Sequence, residues 1–146
     1  MFKRIFAAAI VTAMASPALA DDCAIEIEVG DALAYNTTAI STKASCGTVT
    51  VTLKHTGAMA ANMMGHNFVL TKPGDFDAVT GAAITAGPDK NYVPDSDKVL
   101  ASTKLIGGGE STSVEVNVEK LGAGEYTFFC SFPGHWAIMK GTFTVS

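Results

Sequence analysis

Three stretches of this chain cannot coil into a helix without scattering their apolar residues over both faces. Ile25, Ile27 and Val29 alternate with Glu26 and Glu28; Val49, Val51 and Leu53 alternate with Thr48, Thr50 and Thr52; Val114, Val116 and Val118 alternate with polar neighbours. A period of two is the mark of a half-buried strand, and Thr and Val are the β-branched residues that favour a pleated backbone. Asn67 to Leu70, Lys98 to Leu105, Glu125 to Phe129 and Gly141 to Ser146 add further strand candidates, and Tyr35 and Ile40 are core candidates in a less patterned stretch. Only Asp75 to Ala86 repeats differently, with Phe76, Val79, Ala83 and Ile84 on one helical face. Asp75 can cap that helix and Gly87-Pro88 stops it, while Gly81 inside costs about 1 kcal/mol relative to Ala. Seven or eight short strands and one short helical insertion near residues 75–86 predict an all-β, antiparallel sandwich.

The first twenty residues stand apart. Lys3 and Arg4 precede an apolar run from Ile5 to Ala15, and Ala18-Leu19-Ala20 fits the small-x-small pattern of a cleaved export signal. The expected division is a signal peptide over 1–20 and a single domain over 21–146, exported to the periplasm. The run is too short to span a bilayer, so no membrane attachment is expected. Without Lys3 and Arg4, eight basic residues face fourteen acidic ones, a net charge of −6. A nucleic-acid partner would ask for the opposite sign.

Three cysteines follow the signal. In an oxidising compartment an odd count leaves one thiol after a disulfide has formed. Cys130 has potential metal ligands close by in His135 and Met139, whereas Cys23 and Cys46 have none, so Cys23 is paired with Cys46. A bridge through Cys130 instead would consume the best metal ligand in the chain. Thiolate, imidazole and thioether together select copper over magnesium, calcium or manganese. Pro133-Gly134 turns the chain between the first two, so that Cys130 and His135 can face one ion.

Cys130-x4-His135-x3-Met139, the upstream Met64-Gly65-His66-Asn67 and the pair Cys23 and Cys46 together resemble the azurins, blue-copper proteins of the cupredoxin family, over essentially all of residues 21–146. The resemblance implies a cupredoxin-like Greek-key sandwich holding one type 1 copper ion. It implies His66, Cys130 and His135 as strong ligands, Met139 as a weak axial one, and the Gly65 carbonyl as a second long axial contact. Asn67 is expected to tie the two ligand loops together and to donate a hydrogen bond to the Cys130 sulfur; Phe132 is expected beside the site. His55 is expected to be a satisfied structural histidine near the copper that does not bind it. The chain departs from the family at Trp136, where a small residue is common, and at Phe68, which replaces a buried tryptophan found in many members.

Between Thr56 and Gly65, and again between Cys130 and Met139, there is no charged residue. Such loops run over the surface, and an apolar patch on them is a docking surface. It is expected to comprise Leu33, Met59, Met63, Met64, Phe132, Pro133, Trp136 and Ala137. The expected function is a monomeric, non-enzymatic electron carrier that cycles copper between Cu(I) and Cu(II). Its partners would be redox proteins bound transiently, such as c-type cytochromes or copper and haem reductases and dehydrogenases. A copper carrier or buffer without a redox role is the alternative. A multicopper enzyme lobe would need more histidine clusters, and structural zinc would need four strong ligands.

Overall fold

The computed structural model describes residues 22–146, so the expected signal peptide lies outside the described residues. The elements run β1 (Ala24–Val29), β2 (Ala39–Thr42), β3 (Thr48–His55), α1 (Ala61–Met64), β4 (Val69–Thr71), α2 (Phe76–Ala86), β5 (Ala101–Ser102), β6 (Ser111–Asn117), α3 (Val118–Leu121), β7 (Gly124–Phe129) and β8 (Lys140–Val145). One sheet has the order β1-β3-β6 and the other β2-β8-β7-β4-β5. Together they make a Greek-key sandwich of mixed sheets. Six of its strand pairings include two parallel ones, β1 with β3 and β2 with β8, at the edges of an otherwise antiparallel arrangement. Both parallel pairs join strands separated by long connections, as parallel pairing requires.

The alternation reads out as expected. Ile27, Val29, Val49, Val51, Leu53 and Val116 point between the sheets, where they meet Phe68, Phe128 and Phe143. Phe68 fills the core position without any exposed surface. Tyr35 and Ile40 are buried as well. Val118 is buried but opens the one-turn helix α3, because the Asn117 side chain accepts the Lys120 N–H and caps it.

Three expectations need correction. The helix forms over Phe76–Ala86, but Asp75 makes no side-chain cap; its carboxylate lies 3.5 Å from Lys98 Nζ. Ile84 turns outward and is 60 % exposed, since Val79, Thr80 and Ala83 form the buried face. The strand expected over 98–105 shrinks to two residues because β4, its partner, is only three residues long. Beneath α2 a second small core gathers Val69, Val79 and Phe129, with Phe76 and Trp136 packed against it.

Cys23 and Cys46 form a disulfide with Cα atoms 5.5 Å apart. It ties the start of β1 to the short turn leading into β3. Cys130 is the free thiol among the described residues, and it is buried.

Candidate metal centre

The centre sits where two connections of the larger sheet converge. β7 and β8 pair up to Phe129 and Lys140, so Cys130 and Met139 begin and end the hairpin loop. The loop is closed by its own hydrogen bonds. Cys130 N–H donates to the Met139 carbonyl at 3.1 Å, Met139 N–H to the His135 carbonyl at 2.8 Å, and His135 N–H to the Phe132 carbonyl at 3.0 Å. Gly134 takes the positive φ (84°) that this turn needs, a conformation open to glycine at no steric cost. His66 comes from the other side. It is held in an isolated bridge to Ile106, with N–H···O distances of 3.0 and 2.9 Å.

His66, Cys130 and His135 converge, with their ligand atoms within 4.8 Å of one another. Cys130 Sγ lies 3.8 Å from His66 Nδ1 and 3.5 Å from His135 Nδ1. Metal–sulfur and metal–imidazole bonds of about 2.3 and 2.0 Å, opened to 110–120°, separate sulfur from nitrogen by about 3.5–3.7 Å. The three side chains therefore stand close to where a single ion would need them.

Hydrogen bonds select the tautomers. The Gly30 carbonyl can only accept, so the 2.8 Å contact to His66 Nε2 places the proton there and leaves the Nδ1 lone pair facing Cys130. Burial lowers the His66 pKa, against the opposing pull of that Gly30 bond. Burial, helped by neighbouring His66, lowers His135 to about 4. Both rings are thus neutral near pH 7 and available as ligands. Burial pushes the Cys130 thiol up to about 11, although the backbone N–H groups of Asn67 and Phe132 pull the other way. Those N–H groups are the sulfur's donors, so the expected hydrogen bond from Asn67 comes from its main chain.

The Asn67 side chain braces the two loops. Its Nδ2 donates to Ser131 Oγ at 2.8 Å and to the Asn91 carbonyl at 2.9 Å, and its Oδ1 accepts Ser131 N–H at 2.8 Å. Tyr35 Oη donates to the Asn67 carbonyl at 2.7 Å from the core side. Nothing in the sequence marks Ser131, Asn91 or Gly30 for this site, and Tyr35 reads there only as a core residue. Asn91, at φ 56°, offered only the general preference of asparagine for left-handed turns, and a main-chain carbonyl leaves no trace in residue type.

The other candidates are placed by the structure in the following surroundings. Met139 is 1 % exposed in the main core at the end of the loop. The Gly65 carbonyl lies 3.9 Å from Cys130 Sγ. Gly65 has ordinary extended dihedrals, and its need for glycine is spatial: a Cβ would overlap the Ala61 carbonyl and lie 2.9 Å from Leu105. The Phe132 ring stands 4.5 Å from His135 and 5.4 Å from Tyr92. His55 stacks on His66 at 5.1 Å with both ring nitrogens engaged elsewhere: Nδ1 accepts Gly57 N–H at 3.1 Å, and Nε2 sits 2.9 Å from the Met64 carbonyl. Both its nitrogens are satisfied without a metal.

On the surface, Met63 is 62 % exposed and Ala137 is exposed, while Met59, Met64, Phe132 and Pro133 are half-buried. Leu33 is half-buried against the main core. Trp136 is half-buried and leans on the small core under α2. Ile138, which was not among the expected patch residues, is 65 % exposed.

The profile of the copper binding proteins of the plastocyanin/azurin family matches residues 21–146. The azurin of Bordetella pertussis is 50 % identical over 145 residues, covering 97 % of each chain. That of Pseudomonas aeruginosa is 44 % identical over 147 residues, covering 99 % of each. Among solved structures, an azurin from the obligate methylotroph Methylomonas sp. strain J superposes with a TM-score of 0.82 at 42 % identity, covering 86 % of this chain and 99 % of the other. The His66, Cys130 and His135 cluster fits the one type 1 copper that azurins bind.

Proposed function

The chain belongs to the plastocyanin/azurin family of copper binding proteins, and we propose that it is a periplasmic electron carrier whose copper would be held by His66, Cys130 and His135, with Met139 and the Gly65 carbonyl as weaker contacts. Bound copper supplies a one-electron couple between Cu(I) and Cu(II). Everything else is the work of the chain. Thiolate and imidazole suit both oxidation states, so little has to move when an electron arrives. The bonds from Gly30, Asn67 and Phe132 hold ring and sulfur in place, and the bracing by Asn67 keeps the two loops at a fixed separation.

The observation that carries this reading is the convergence of one buried thiol and two neutral rings at 3.5 and 3.8 Å in a site nearly closed to solvent. A copper buffer that hands over its ion would need ligands a recipient can reach. Here His66 and Cys130 are wholly buried and His135 is only 5 % exposed. Electrons cross such a wall readily, whereas a recipient's ligands have little access to the ion. The Phe132 ring lies 4.5 Å from His135, and an uncharged docking surface of Met63, Met64, Phe132, Pro133 and Ala137 around that ligand would suit brief, weak docking of redox proteins such as c-type cytochromes or copper and haem reductases and dehydrogenases. Export follows from the expected signal peptide over residues 1–20, with a single domain thereafter acting as a monomer.

Replacing Met64 with Lys tests the docking surface. Electron exchange with a c-type cytochrome should slow while the visible spectrum stays that of the parent. A variant as fast as the parent would count against docking there.

A further inference from the structure

The segment between β3 and α1 carries Met59 and leads into α1, which bears Met63 and Met64 of the proposed docking surface, yet residues 56–60 belong to no strand or helix. Gly57, Ala58 and Ala60 offer little side chain to pack, although their backbone runs close against Gly107 and Gly108. Hydrogen bonds tie it down as well, and two of them end on one exposed carboxylate. Asp31, two residues beyond β1, accepts Ala58 N–H at 2.9 Å on Oδ2 and Met59 N–H at 3.0 Å on Oδ1. These two bonds, Ala58 first, hold the Asp31 carboxyl below its ordinary pKa. The preceding Gly57 N–H donates to His55 Nδ1, so three successive N–H groups are taken up. On either side, Thr56 N–H donates to the Val29 carbonyl and Gly108 N–H to the Met59 carbonyl, each at 2.8 Å.

The carboxylate can reach this position only because residue 57 has no side chain. A Cβ there would overlap Asp31 Oδ1 and lie 2.5 Å from Cγ and 2.8 Å from Oδ2. The two residues, 26 positions apart, are thus one device. We propose that Asp31 and Gly57 form a clamp that pre-shapes the methionine-bearing surface over the metal centre, Asp31 acting as a positioning residue for electron exchange between proteins. The inference rests on the electron-carrier reading above. A surface already in its docking shape spares each brief encounter the ordering of a loop. Asp31 sits beside Gly30, whose carbonyl orients His66, so the clamp also registers the docking loop against the ligand it serves.

The test is electron self-exchange in mixtures of oxidised and reduced copper-loaded protein, measured by NMR line broadening. It is set beside the rate of reduction by hexacyanoferrate(II), a reagent too small to need a shaped surface. Asp31→Ala and Gly57→Ala should both slow self-exchange, by about three- to tenfold, as expected when association must await a conformational change. Asp31→Asn, which keeps one acceptor oxygen, should fall between. Gly57→Ala leaves the net charge unaltered and so separates shape from electrostatics. Reduction by hexacyanoferrate(II) should change less than self-exchange in every variant. Gly57→Ala exchanging at the parental rate would overturn the proposal, and so would Asp31→Ala exchanging faster, as loss of like-charge repulsion alone predicts. A drop in melting temperature with the ratio of the two rates unchanged would reduce the clamp to ordinary structure and overturn it too. A parent protein that binds copper but exchanges no electrons would instead refute the electron-carrier reading, and the two failures are told apart by the parent alone.

Discussion

Replacing Asn67 with Ala removes the side chain that fastens the two ligand-bearing loops. Three buried or part-buried hydrogen bonds disappear: two donated by Nδ2, to Ser131 Oγ and the Asn91 carbonyl, and one from Ser131 N–H accepted by Oδ1. At about 1 kcal/mol net each the direct loss is about 3 kcal/mol. Ser131 is wholly buried, so its stranded N–H adds a further desolvation penalty of about 1–2 kcal/mol. The expected total is about 4–5 kcal/mol, which for a domain of this size lowers the melting temperature by roughly 12–20 °C. Urea unfolding of the metal-free protein, with and without the substitution, gives this number directly. Copper affinity should fall as well, by about 10–100-fold, the usual cost of losing a group that orients metal ligands. Ser131→Ala is the partial control: it removes one bond and keeps the backbone one, so its loss should be about 1 kcal/mol. An Asn67→Ala protein within about 1 kcal/mol of the parent, with unchanged copper affinity, would show that the loops are not held by this side chain.

Other perturbations probe separate parts of the account. Copper uptake between pH 7 and 9 should release about one proton per ion, taken from the Cys130 thiol that burial holds near 11, because His66 and His135 are already neutral; calorimetry in buffers of different ionisation enthalpy reads the number, and a value near zero or two would contradict it. Removing the Cys23–Cys46 bridge opens a loop with a sequence separation of 23 and should cost about 3 kcal/mol in thermal or urea unfolding while leaving the copper spectrum alone. Gly65→Ala drives a Cβ into the Ala61 carbonyl and Leu105; a stability loss of about 1–3 kcal/mol is expected together with a shifted copper spectrum, since the Gly65 carbonyl must move.

Much of this could be read from residue order because the relevant signals are local. Val49, Val51 and Leu53 declare a strand by period alone, and Cys130, His135 and Met139 fall within one turn-linked stretch. What remained hidden depends on pairings between distant segments. Alternation fixes which face of a strand is buried but not the direction of its neighbour, so an antiparallel sandwich is expected throughout and nothing in the pattern shows that β1 pairs with β3, and β2 with β8, in parallel. Spacing puts Ile84 on the buried face of α2, where small Thr80 packs inward instead. Asn67 was singled out, but its partners Ser131 and Asn91 could not be. Neither could the Gly30 carbonyl that sets the His66 tautomer, since a main-chain acceptor looks the same in every residue. Asp31 reads as one more surface acid until Gly57 is seen to make room for it.

The central claim is that one buried thiolate between two imidazoles holds copper in a geometry suited to both oxidation states. The visible spectrum of the purified, Cu(II)-loaded protein tests it most directly, through the charge-transfer band from the Cys130 sulfur. An intense blue absorption that vanishes on one-electron reduction, returns on reoxidation and is missing in Cys130→Ser is the predicted result. A colourless Cu(II) protein, or a blue one whose band survives Cys130→Ser, would contradict it.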